Sequence, residues 1–147
     1  MLGTVHMLTG AVIGKVVEKP ELIIPIAFLS HFVLDAIPHY DFKIKDYSKN
    51  GITRKNIGEI LIVSIEPISG IILTVALAYQ NPNLFYPIML GATFASSPDI
   101  LEFSIRKFKI KKLVALLNKN HGHAKNKYFG IAIQIIFCIV SSIILLA

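Results

Sequence analysis

The chain holds one cysteine, Cys138, and no tryptophan. A lone cysteine cannot build a disulfide framework, and it says nothing about redox compartment. Charge is scarce as well: only 16% of residues are Asp, Glu, Lys or Arg, whereas a soluble domain carries about a quarter. Nucleotide loops, zinc-finger spacings, stacking surfaces for bases, internal repeats and low-complexity segments are all missing, so no nucleic-acid partner is expected. No cleavable signal peptide is expected either. The N-terminal stretch lacks a basic leader, and His6 and Lys15 interrupt its apolar run. What the chain has in excess is hydrocarbon, since 54% of its 147 residues are apolar. That fraction requires lipid or an unusually large core, and a chain this short cannot bury the latter.

A helix that spans a bilayer needs about 20 largely apolar residues. The pattern predicts a single all-α domain of four to five transmembrane helices, over residues 4–18, 22–38, 57–79, 84–105 and 128–147. The first is short and carries His6, Thr9 and Lys15, so it reads as a tilted or partly inserted helix. Its Gly10 and Gly14 form a GxxxG spacing, which either lets another helix approach closely or stands there by chance. The fourth is interrupted by Ser96-Ser97-Pro98-Asp99, which reads as a fresh helix start: a Ser cap, Pro at the first position and an acid in the first turn. Broken helices at membrane depth occur where they line a cavity.

Lys and Arg are concentrated in residues 40–56 and 106–127, whereas Gln80-Asn81-Pro82-Asn83 carries no charge. The positive-inside rule places both basic segments in the cytoplasm and the polar turn outside, in a multi-pass protein of the plasma membrane. This topology gathers all five histidines and most of the nine acids at the cytoplasmic face. The outer half of the bundle is left almost free of ionisable groups, which argues against a conduction path.

His31 and Asp35 are four residues apart, share a helix face and can hold one ion together. Pro38 bends the chain, so that His39 and Asp41 can fold back toward the same ion. An ionised Asp within a membrane helix costs about 2.5–3.5 kcal/mol on insertion scales, which makes an idle one rare. The competing reading pairs His31 and Asp35 with each other or with a buried lysine. Asp99 is a further candidate ligand, and Glu102 a weaker one. Glu66, just before Pro67, reads as a ligand, as a general base for a metal-bound water, or as a neutral buried acid. His121 and His123 form an HxH in a basic loop, which is either a solvated feature or a lid that closes over the site; His6 has a similar balance. Imidazole and carboxylate donors suit zinc best, with manganese and iron as alternatives. The basic loops would draw anionic phospholipid or phosphoester groups to the cytoplasmic face.

The His6…Thr9-Gly10 start, the HxxxD of His31 and Asp35 with His39 nearby, and the Pro98-Asp99 pair resemble a broad group of small bacterial and archaeal membrane proteins described as membrane-bound metal-dependent hydrolases. The HxxxD followed by a further His is also similar to the zinc-dependent phospholipase C and nuclease group, which is all-helical. The motif order differs, because Pro-Asp precedes the HxxxD helix in that hydrolase family. The family's loop histidine motif is also longer than His121-Gly122-His123. The resemblance implies hydrolysis of phosphate esters, lipid-linked ones included. The chemistry expected is therefore metal-dependent hydrolysis with His31, Asp35, His39 and Asp99 as ligands, His6, Asp41, His121 and His123 as further ones, and Glu66 as base. The rival is a non-enzymatic metal-binding or ion-conducting membrane protein, which would be an oligomer.

Overall fold

The computed structural model describes residues 1–40, 54, 57–107, 122 and 124–147, with the backbone alone for residues 62 and 102–107. The described residues form five α-helices and one 3₁₀ turn, and no strand. The helices are α1 (Gly3–Val17), α2 (Pro20–Ala36), α3 (Ile57–Tyr79), α4 (Phe85–Lys107) and α5 (Lys127–Leu146), with the 3₁₀ turn (Pro82–Leu84) before α4. The basic segments, Asp41, His121 and His123 lie wholly or largely outside the described residues, and so does the Glu102 side chain.

The helix ends follow local chemistry. Pro20 opens α2 with Glu21 in its first turn, as fixed φ and the positive end of the helix dipole favour. The same helix stops at Ala36 because Ile37, held extended at φ −72°, ψ 136°, precedes Pro38. Asn126 caps α5, its Oδ1 accepting from the amides of Tyr128 at 2.9 Å and Phe129 at 3.4 Å. No side chain of its own caps α1; the Glu66 carboxylate on α3 accepts from the Gly3 amide at 3.2 Å and the Thr4 amide at 2.7 Å instead. Orphan amides at a helix start need such a partner when buried.

The short first helix is the centre of the bundle rather than a peripheral, partly inserted one. It packs against each of the four other helices among the described residues, most extensively against α4. Glycine makes this crossing close. A Cβ on Gly10 would lie 2.3 Å from the Gly91 carbonyl oxygen, and one on Gly91 would lie 2.0 Å from the Gly10 oxygen. Gly14 meets the Pro87 carbonyl in the same way. The GxxxG spacing is therefore a backbone-contact surface. Because α1 is enclosed by its neighbours, it needs neither the length nor the uniform apolarity of a lipid-facing span.

Two helices, α3 and α5, are long and apolar enough to cross a membrane. Only 18% and 22% of their apolar windows are buried, so their hydrocarbon faces outward, through residues such as Ile65, Ile68, Ile72, Ile136, Ile139 and Ile143. A soluble core helix would turn that surface inward. Lys15 Nζ donates to the carbonyls of Ile144 at 3.2 Å and Leu145 at 3.0 Å, and Asn81 Nδ2 donates to Leu145 at 2.7 Å. The C-terminal ends of α1, α3 and α5 thus meet at one end of the bundle. A lysine within an apolar helix is explained there by the carbonyls it caps.

The fourth helix corrects a sequence expectation. It does not restart at Ser96-Ser97-Pro98-Asp99 but runs unbroken through Pro98. Proline removes the amide that would bond the Phe94 carbonyl. Ser97 Oγ donates to that carbonyl instead, at 2.8 Å.

Candidate metal centre

Three helices converge where α4 passes Pro98. His6 comes from α1, His31 and Asp35 from successive turns of α2, and Asp99 from the turn after the proline. His6, His31 and Asp99 each offer a ligand atom, and these atoms lie within 4.8 Å of one another. The His6 and His31 rings stack with centroids 4.0 Å apart. His6, His31 and Asp35 are buried, but the Asp99 side chain is 47% exposed. The group is thus closed on three sides and open at Asp99.

Hydrogen bonding fixes the form of His31. Its Nδ1 lies 2.9 Å from the Ala95 carbonyl oxygen. A carbonyl only accepts, so Nδ1 carries a proton, and in the neutral ring Nε2 carries the lone pair. That Nε2 lies 3.2 Å from Asp35 Oδ2 and 3.6 Å from Asp99 Oδ1. Three acceptors therefore face one another, and a cation between them resolves the conflict, whether a proton on Nε2 or a metal ion. Two neighbouring ligand atoms on a tetrahedral zinc are separated by about 3.4 Å, close to both observed spacings. An imidazole whose second nitrogen donates to a backbone carbonyl is the usual partner arrangement of a metal-ligating histidine.

Ala95, one residue beyond the carbonyl that Ser97 satisfies, presents its oxygen to His31. Asp35 ties the group together, with Oδ1 at 3.1 Å from His6 Nε2 and Oδ2 toward His31. The Met1 nitrogen also reaches Asp35 Oδ1, at 2.5 Å. His6 Nδ1 is buried and finds no hydrogen-bond partner among the described residues. Such an atom normally has one, so it calls for an explanation.

The remaining sequence candidates are placed as follows. His39 is buried, but it is not one of the three residues whose ligand atoms converge. Its ring Nδ1 lies 2.7 Å from the Ile37 carbonyl, and its backbone pairs with Gly122 and Ala124. Gly122, between His121 and His123, donates its amide to the Asp35 carbonyl at 2.8 Å, so the backbone of that loop reaches α2 one turn from His31. A Cβ at Gly122 would lie 2.5 Å from the Ala36 oxygen. The side chains of His121, His123 and Asp41 fall outside the described residues. Glu66 directs its carboxylate to the start of α1 and is not one of the three converging residues.

Gln134 is a residue that sequence reasoning passed over. Buried in α5, it accepts from the Leu2 amide at 2.8 Å and donates to the Tyr40 carbonyl at 3.0 Å. It thereby fixes both the chain entering α1, one turn before His6, and the chain leaving α2. The available signal was an isolated amide within an otherwise apolar span, a position that lipid exposure would penalise.

No protein-family model matches the chain, and no curated protein or solved structure matches it.

Proposed function

We propose that this chain is a multi-pass protein of the plasma membrane, crossing the lipid bilayer four or five times. In this reading it binds a divalent metal through His6, His31 and Asp99, with Asp35 beside them, and hydrolyses a phosphoester at the cytoplasmic face. The observation that carries the reading is His31 Nε2, aimed between two carboxylates while Nδ1 donates to the Ala95 carbonyl. Zinc suits these donors best, and manganese or iron accept the same set. A bound metal would bring its water's pKa to about 7 and polarise a phosphoryl oxygen. Asp99, half-exposed, is the side on which substrate and water would enter. The resemblance to membrane-bound metal-dependent hydrolases agrees with this chemistry. Glu66 enters the proposal as a positioning residue, because both its carboxylate oxygens already accept amides at the start of α1.

Elemental analysis of protein purified in detergent without chelators tests the reading. Wild-type protein should carry stoichiometric metal, and His31→Ala and Asp99→Asn should carry much less. Phosphate release from an anionic phosphoester should stop on chelation and return with added metal. A second reading, that the cluster is purely structural, is favoured by the Met1 nitrogen on Asp35. In that case the protein would contain no metal and its thermal stability would ignore chelators.

A further inference from the structure

Between α3 and α4, with α1 as its floor, lies a cleft of about 300 Å³ whose wall includes Met7, Ile71, Met89, Ala92, Asp99 and Ile100. That volume lies at the lower end of small-molecule sites. From Met89 to Asp99 the cleft follows ten residues of α4, a run of about 15 Å at the rise of an α-helix. Its shape is asymmetric. Asp99, a member of the metal group, stands at one end, and the rest of the wall is mostly hydrocarbon, with Thr74 on α3, whose buried Oγ1 finds no hydrogen-bond partner among the described residues, as a polar point.

The wall hydroxyls of Thr93 and Ser96 do not change that character. Thr93 Oγ1 donates back to the Met89 carbonyl at 2.8 Å, and Ser96 Oγ to the Ala92 carbonyl at 2.6 Å. The cleft opens sideways, because α3 and α4 touch each other far less than either touches α1. Its lips carry exposed Ile68, Ile71 and Ile72 on α3 and exposed Ile100 and Leu101 on α4. In the multi-pass membrane reading, an occupant arriving through that opening comes from an apolar medium and not from water.

We propose that this cleft takes the hydrocarbon chain of a lipid whose phosphate headgroup lies at Asp99 and His31; the headgroup placement rests on the metal reading, and the chain placement only on the membrane reading. Moving a chain from bilayer to cleft gains little hydrophobic energy, since both are apolar. Retention then depends on the shape of the groove and on the headgroup. A long-chain alkyl phosphate should therefore bind where the corresponding alcohol does not.

The test uses the full chain in phosphatidylcholine nanodiscs and a long-chain alkyl phosphate bearing a photoreactive diazirine in mid-chain. Cross-links should map to Met7, Ile71 or Met89. They should be lost in Ile71→Trp and Thr93→Phe, which fill the cleft from exposed positions and should leave metal content unchanged. Cross-links confined to outward residues such as Ile136 and Ile139, indifferent to these substitutions, would overturn the proposal. So would chain-to-chain products at the cleft, which would place a second copy there. The two readings fail separately. Protein that hydrolyses a short-chain phosphoester yet labels only on its outer faces would lose the cleft and keep the metal. Cleft labelling of protein that never holds metal would do the reverse.

Discussion

Gly10→Ala tests whether the close crossing of α1 and α4 holds the metal group together. The added Cβ would lie 2.3 Å from the Gly91 oxygen and 2.5 Å from Ala95 Cβ. Non-bonded carbons settle at about 3.5–4.0 Å, so the helices must part by roughly 1 Å at that point. Neither neighbour can rotate away, as one is backbone and the other a methyl. Alanine returns about 0.8–1 kcal/mol of helix propensity relative to glycine. Overpacking a tight interface costs about 1–3 kcal/mol, and occasionally more, and a backbone clash belongs at or above the upper end. A net loss of about 2 kcal/mol corresponds to a fall in Tm of about 4–8 °C for a chain of this size. The same parting displaces Ala95, whose carbonyl orients His31. Metal sites tolerate about 0.2 Å in ligand distance, so metal content should fall with stability. Gly58→Ala is the matched control, since nothing lies within 4 Å of its added Cβ. The assays are thermal unfolding in detergent by far-UV circular dichroism and elemental analysis of the same samples. Gly10→Ala protein that melts with Gly58→Ala and keeps its metal would refute the reasoning.

Other substitutions probe single links. Pro98→Ala restores an amide that can bond the Phe94 carbonyl now held by Ser97; Tm should hold or rise, while metal affinity drops by about 10-fold or more through the loosened His31 partner, measured by competition with a chelating dye. Gln134→Leu removes the acceptor of the Leu2 amide and a donor to the Tyr40 carbonyl and should cost about 1–3 kcal/mol, read as the unfolding free energy in a detergent–denaturant titration. Glu66→Gln keeps one acceptor oxygen for the start of α1 and should lose about 1 kcal/mol of stability with metal retained. Full loss of phosphate release at wild-type metal content and Tm would instead make Glu66 the base.

The helix positions were legible in the sequence because they depend on local quantities. Apolar run length located the five helices of the described residues to within two residues at each end, and Pro38, by restricting Ile37, foretold the end of α2. The reading of Ser96-Ser97-Pro98-Asp99 as a helix start failed for a tertiary reason. The same residues suit a cap or a proline inside a helix, and the Phe94 carbonyl that Pro98 cannot bond is bonded by Ser97 within the helix, while His31 from another helix bonds the next carbonyl, Ala95. Glu66 reads in the sequence as a ligand, a base or a neutral buried acid; its carboxylate contacts the start of α1, 62 and 63 residues away, a partner that no local pattern announces.

The sequence by itself determined the apolar excess, the helical class and the residue types from which a metal site could be drawn, since each follows from composition and from spacing along one helix. His31 and Asp35 share a face in any α-helix. Which of the candidates meet was decided only by the way the helices cross. Gly10 and Gly91 let α1 and α4 touch at the backbone, and that contact brings His6 to His31 and Asp99. His39, close to His31 along the chain, instead lies beyond the end of α2 and pairs with Gly122 and Ala124. Ligand convergence is a property of interhelical distance, and that distance is set by the small residues at the crossing, not by the residues that would bind the ion.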